Sequence, residues 1–236
     1  MANLIFGRNT VKDALSTIHV DKVYLAQGFS DKALISLCKE KNVPIIYKSN
    51  SELNLMVRGN HQGVVAEAQR FEYSSLEELI HISKKQDHPF ILILDGINDP
   101  GNFGAIIRSC DAFSLTGIII KKHGQVMVNS TVSKTSTGAI NHVKIAQVTN
   151  LSQALETLKE NGFWTIATSG EAKMSYTDLN YDFPVALVIG NEGDGVSPLV
   201  IKRSDYNVKI PMTGHVNSLN ASVAAGIFIS YIRSKQ

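Results

Sequence analysis

Two stretches of this chain, Phe90-Ile91-Leu92-Ile93-Leu94-Asp95 and Val185-Ala186-Leu187-Val188-Ile189, are apolar without alternation. A strand with one wet face alternates apolar and polar residues, so runs like these belong to strands covered on both faces, as in a parallel sheet flanked by helices. Similar runs recur at Ile118-Ile119-Ile120 and Trp164-Thr165-Ile166-Ala167, with helical patterns between them, the clearest from Leu151 to Glu160. Strands alternating with helices predict an α/β fold with a mostly parallel sheet in the C-terminal part of the chain. Ligands bind such sheets at the carboxyl ends of the strands, so the loops following these runs are where chemistry is expected.

The first seventy residues read as a separate unit. A strand at Val23 to Ala26, an amphipathic stretch from Asp31 to Lys41, a strand at Val43 to Tyr47, a helical segment from Ser51 and a strand from Gly63 to Ala68 predict a small α/β domain over 1–70. The polar segment Ser83-Lys84-Lys85-Gln86-Asp87-His88-Pro89 marks a boundary. Residues 71–88 are therefore expected to form a linker and 89–236 a second domain. At 44% hydrophobic and 19% charged residues, a chain of 236 could bury one large core or two small ones, so pattern rather than size makes this division.

Composition excludes several classes. No apolar window approaches the length of a membrane span and no secretory segment opens the chain, so a cytoplasmic location is expected. Cys38 and Cys110 lie far apart in helix-like patterns and are expected to be core thiols. The seven His and two Cys form no ligand spacing, so no metal is expected. A net charge of +2 neither demands nor forbids a nucleic-acid partner. The dense basic patches, Lys84-Lys85, Lys121-Lys122-His123 and Lys202-Arg203, read by default as solvated surface.

Three of the expected carboxyl-end loops are chemically unusual. Asp95-Gly96-Ile97-Asn98-Asp99-Pro100-Gly101-Asn102-Phe103-Gly104-Ala105-Ile106-Ile107-Arg108 leaves a buried strand, turns and enters a helix. Asn98, Asp99 or Asn102 could cap that helix, and Arg108 could simply face solvent. Gly190-Asn191-Glu192-Gly193-Asp194-Gly195 sets three glycines around one carboxylate, letting backbone amides approach a ligand. Its spacing fits neither a dinucleotide fingerprint nor a Walker loop. The third segment, Ile210-Pro211-Met212 through Ser218-Leu219-Asn220, leads into a helix of small residues running from about Leu219 to Tyr231, with Ser218 or Asn220 as its cap.

Taken together and in this order, Asn-Phe-Gly-Ala-Ile-Ile-Arg at 102–108, Gly-Asn-Glu-Gly at 190–193, and Ile-Pro-Met at 210–212 with Ser-Leu-Asn at 218–220 resemble the three motifs of the SpoU family of RNA ribose methyltransferases, within the SPOUT superfamily. At the front, Phe6-Gly7-Arg8-Asn9-Thr10-Val11 and His61-Gln62-Gly63-Val64-Val65-Ala66 resemble the substrate-binding domain of many members, itself similar to ribosomal protein L30e. The resemblance covers essentially the whole chain and is nearest to the bacterial group that methylates a guanosine of 23S rRNA. The same chemistry on tRNA or another rRNA position, and a non-catalytic ribosome-assembly factor with this fold, are the rival readings.

The resemblance implies a C-terminal trefoil knot, a homodimer whose active site borrows residues from both subunits, and S-adenosylmethionine as cofactor. It implies that Thr168, Ser169, Gly170, Gly190, Ile210, Met212 and Leu219 hold that cofactor, largely through backbone. Arg108, Asn102, Glu192, Ser218 and Asn220 match the catalytic positions, and Arg8 and His61 gain an RNA-binding role. A guanidinium is protonated at any working pH. Arg108 is therefore expected to clamp the target phosphate or steady the developing alkoxide, the proton leaving to water, phosphate or a site carboxylate. Glu192 either braces the glycine loop or acts directly. Asn217, and Ala221 where a valine is usual, depart slightly from the family pattern.

Overall fold

The computed structural model describes residues 3–17, 19–68 and 71–236. Two compact units result, Met1–Glu72 and Tyr73–Gln236. The first comprises β1 (Asn3–Phe6), α1 (Arg8–Thr17), β2 (Val20–Ala26), α2 (Lys32–Glu40), β3 (Ile45–Lys48), α3 (Asn50–Met56) and β4 (Val64–Ala68). The sheet order is β1-β4-β2-β3, antiparallel except for the β2–β3 pair. Alternation along β2 explains its two covers: Val23 and Leu25 pack with α1 and α2, whereas Tyr24 and Ala26 pack with Leu53 of α3. The elements β1 and α1 lie ahead of every element expected in this region.

The second unit contains α4 (Leu76–Ser83), β5 (Phe90–Asp95), α5 (Pro100–Ala112), β6 (Gly117–Lys121), α6 (Ser130–Thr135), β7 (Ile145–Val148), α7 (Leu151–Glu160), β8 (Trp164–Thr168), β9 (Met174–Ser175), β10 (Val185–Gly190), α8 (Pro198–Arg203), β11 (Tyr206–Lys209) and α9 (Ala221–Arg233). Its seven strands are ordered β7-β6-β5-β10-β8-β11-β9, and every paired neighbour is parallel. All of β5 is buried, as is β10 apart from Gly190, as the non-alternating runs demanded. Helices α4, α7 and α8 share one apolar layer with Ile91, Ile93 and Val188, while α5 packs on α6 and α9. Two late strands, β10 and β11, are inserted between earlier ones, which places the second unusual segment in the middle of the sheet and the third two strands away.

Segment 71–88 differs from the expected linker. Ser75 caps α4, Leu76, Leu79 and Ile80 enter the apolar layer, and Ser74 bridges Ala146. Residues 76–83 form a short amphipathic helix whose buried face makes them part of the second unit. At the other end of the chain, Arg233 donates to the carbonyls of His88 (2.7 Å), Phe113 (3.0 Å) and Ser114 (2.8 Å), tying α9 to the segments before β5 and after α5. Cys38 and Cys110 are free, and burial pushes both thiols up. Among the described residues no helix is long and apolar enough to cross a membrane.

Leu79 is fully buried, so Leu79→Ala should destabilise the second unit by about 2–5 kcal/mol. Denaturant unfolding followed at Trp164 measures this; an unchanged midpoint would mean that α4 is a spacer after all.

Candidate active site

Register places Gly190 beside Asp95 and Val208 beside Thr168, so β5, β10, β8 and β11 end along one edge. A cavity opens at this edge. Thr168, Ser169, Gly170, Gly190, Ile210, Met212 and Leu219, all expected to hold the cofactor, line it, together with Glu192 and Ser218. The wall also includes Ala221, Ala224 and Phe228 of α9, which lay in an ordinary helical pattern and gave no separate signal. The lining is largely aliphatic and main-chain, with polar groups few and at defined points, as small-molecule sites require.

Close approach dictates the glycine at position 190. A Cβ there would lie 2.0 Å from the Gly195 carbonyl carbon and 2.2 Å from the Val196 nitrogen, so the chain after β10 folds directly back over the strand end. Asn191 shapes that return: its carbonyl accepts from Gly195 N at 3.1 Å, and its Oδ1 accepts from Gly193 N (2.8 Å) and Asp194 N (2.7 Å). The bracing role considered for Glu192 thus belongs to its neighbour. An asparagine opening a glycine turn is the sequence signal for this, because its side chain bonds the backbone two or three residues on.

Glu192 is left free to reach elsewhere. It accepts from Asn102 Nδ2, and Asn102 Oδ1 in turn accepts from Asn220 Nδ2 at 2.9 Å. Both open cap assignments are settled by the same residues. Asp99 caps α5 by accepting from Asn102 N at 2.6 Å, and Asn220 caps α9 by accepting from Ser222 N (3.0 Å) and Val223 N (3.3 Å). Because Asn220 Oδ1 is committed to the cap, its amide nitrogen must turn outward and donate. The three unusual segments are therefore joined, side chain to side chain, beside the cavity.

Gly104, in the same motif as Asn102, serves packing instead. A Cβ would come within 2.6 Å of Thr135 Cβ, so α5 could not lie this close to α6. Arg108 is not brought into the cavity. It is exposed on α5, six residues beyond Asn102 and so roughly 9 Å further along the axis. Among the described residues it makes no hydrogen bond or ion pair.

In the first unit, Arg8 and His61 lie close together but do different things. The Arg8 guanidinium is exposed, 5.1 Å over the Phe29 ring, while its backbone N donates to Gln62 Oε1 at 3.0 Å. His61, expected to contact RNA, is only 8% exposed. Its Nδ1 accepts from Gly63 N at 3.0 Å and its Nε2 meets Asn54 Oδ1 at 3.0 Å, so neither ring nitrogen is available to a ligand. It supports the turn that carries Gln62.

Comparison with known proteins gives the family. Residues 89–230 match the SpoU rRNA methylase family, and residues 4–74 match the RNA 2′-O ribose methyltransferase substrate-binding family. The Bacillus subtilis protein YacO, assigned to the TrmH tRNA/rRNA methyltransferase family, is 40% identical over 98% of this chain and 95% of its own. The SpoU methyltransferase AviRb of Streptomyces viridochromogenes, solved with the cofactor AdoMet, shares the fold with a TM-score of 0.66 at 24% identity, over 98% of this chain and 89% of its own. The TrmH/SpoU tRNA modifying enzyme of A. aeolicus aligns with a TM-score of 0.58 at 32% identity, over 68% of this chain and 81% of its own. Fold, motifs and relatives define an RNA methyltransferase. The chain belongs to the SpoU family.

Asn102→Asp would set a second carboxylate against Glu192, where two like charges cannot both be comfortably ionised. Methyl transfer at pH 7 should fall about 10- to 100-fold, the worth of one charge-assisted hydrogen bond, and recover partly toward pH 5 as the pair takes up one proton. A pH–rate profile parallel to wild type would show that Asn102 and Glu192 do not act as a pair.

Proposed function

We propose that this protein transfers the methyl group of S-adenosylmethionine to a ribose 2′-hydroxyl of RNA, with a guanosine of 23S rRNA as the target. The observation that carries the reading is that the second and third motif segments line one cavity and that the first is joined to both by the Asn220–Asn102–Glu192 chain. The cavity suits the cofactor. Its glycine wall leaves no room for a side chain at 190, and Ile210, Leu219 and Phe228 offer apolar surface to an adenosyl group. In this reading, main-chain groups at 169–170, 190 and 210–212 read the adenine edge. When bound, S-adenosylmethionine supplies an electrophilic methyl carbon on a sulfonium.

The protein's own contribution is positioning and charge. Asn220 and Asn102 hold the Glu192 carboxylate at the cavity rim, where it can orient a hydroxyl or accept its proton. Ser218 lies at the same rim as a second hydrogen-bonding group. Arg108, always cationic, steadies the attacking oxygen or the adjacent phosphate. Since Arg108 stands outside its own chain's cavity, it serves the cavity of a second copy in a homodimer. The exposed stretch 211–218, with Val216 68% and Met212 37% exposed, supports such a second copy covering the third motif loop. In the first unit Arg8, supported by Phe29 and Gln62, is the RNA contact, and the cytoplasm is where such a substrate is met.

Labelled cofactor incubated with separate 23S rRNA and tRNA pools, followed by digestion to nucleosides, tests the reaction. Label should appear in 2′-O-methylguanosine from 23S rRNA; label in tRNA would reassign the target, and none in any RNA would favour a non-catalytic assembly factor. Subunit sharing has its own signature. Arg108→Ala and Glu192→Ala proteins should each be inactive, yet co-refolding them in equal amounts should restore roughly a quarter of wild-type activity, because half the dimers then hold one complete site. No recovery would place Arg108 in the site of its own chain. Arg8→Ala should weaken RNA binding and leave cofactor affinity untouched; weakened cofactor binding would remove Arg8 from that role.

A further inference from the structure

Asp95 is the only acidic side chain buried among the described residues, at 3% exposure. A carboxylate so placed persists only when its oxygens are satisfied. Its Oδ1 accepts from Lys121 Nζ at 2.8 Å, and its Oδ2 accepts from the backbone N of Ser197 at 2.8 Å, across 102 residues of sequence. Burial alone would raise the Asp95 carboxyl, but the Lys121 and Ser197 hydrogen bonds outweigh it and hold the group below its usual range. Asp95 ends β5, Lys121 ends β6, and Ser197 closes the glycine loop as the residue before α8.

The consequence is a loop fixed at two points. Asn102 meets Glu192 near the tip of the loop 190–197, and Asp95 meets Ser197 at its base, so segments 95–102 and 190–197 are laced at both ends. Between these ties the loop is closed on itself by Asn191. Losing the base tie would let the loop pivot about Gly190, carrying the cavity wall and Glu192 with it.

We infer that Asp95, with Lys121 as its counter-ion, is a positioning residue for methyl transfer: through the Ser197 amide it sets the glycine loop against the cofactor cavity and brings Glu192 to Asn102. This rests on the methyl-transfer reading above. A buried carboxylate is weak evidence of a stability role by itself, so the test separates positioning from stability.

The test breaks the Asp95–Ser197 bond. Ser197 already has φ −61° and ψ 142° and precedes Pro198, so Ser197→Pro suits the backbone dihedrals; it deletes the donor to Asp95 and the hydroxyl and sets a ring carbon against the carboxylate, forcing the two apart. Ser197→Ala deletes the hydroxyl alone and serves as the control. Calorimetric titration with S-adenosylmethionine should show Kd raised roughly 10- to 100-fold for Ser197→Pro and close to wild type for Ser197→Ala, as expected when a site wall shifts by about an ångström. The turnover number at saturating cofactor should fall in parallel while RNA affinity stays unchanged, a split that general loosening of the fold would not give. Equal cofactor affinity in the Pro and Ala variants overturns the inference. Asp95→Ala removes the same bond from the other side without that clash and should raise Kd likewise; wild-type affinity in that protein overturns the inference, whether or not Ser197→Pro folds. Wild-type protein that neither binds cofactor nor methylates RNA would instead bring down the methyl-transfer reading, and this inference with it.

Discussion

Two asparagine side chains and one glutamate carry the connection on which the site depends. Asn220, Asn102 and Glu192 come from segments separated by 118 and 90 residues, yet they form one line of hydrogen bonds at the carboxyl edge of the sheet. Each such bond contributes only about 0.5–1.5 kcal/mol net, somewhat more where a carboxylate accepts. Bonds of that size cannot hold three loops in place against their entropy. The loops are instead delivered by the sheet, whose buried strands end in register, and the hydrogen bonds select one arrangement among the few the strand ends permit.

The same residues do local and global duty. Asn220 caps α9 through its oxygen, and that commitment dictates which way its amide nitrogen points. Asp99 caps α5 by holding the backbone of Asn102, which fixes the first turn from which the Asn102 side chain projects. A helix cap has restricted χ angles, so building the site on caps gives rotamer control without extra packing. Arg233 completes the scheme at the far end of α9, where three carbonyls anchor the helix whose first turns form a cavity wall.

Much of this was legible in the sequence, though unevenly. The unbroken apolar runs at 90–95 and 185–189 implied doubly covered parallel strands, and the residues expected around the cofactor all line one cavity. What misled was context that a linear pattern does not hold. Residues 71–88 looked polar enough for a linker because only one face of α4 is apolar, and that face is buried. His61 sits in a motif facing RNA in the resemblance, but its ring nitrogens are consumed by Gly63 and Asn54. Asn191 passed unnoticed beside Glu192 because a bracing amide and a functional carboxylate look equally plausible in a glycine loop. Asp95 read simply as the end of a strand, since its partner Ser197 lies 102 residues away.

The first unit is held by two apolar layers of its own and supplies an exposed guanidinium on a supported turn; the second supplies the cavity. Loops from β8, β10 and β11 line a single cavity, proposed above to take the cofactor, with the asparagine–glutamate line beside it. Amide hydrogen exchange with and without saturating S-adenosylmethionine measures this directly. The amides of 168–170, 190–197 and 210–220 should slow together on cofactor addition, with the first unit unchanged. Protection confined to one of these loops, or found elsewhere, would contradict it.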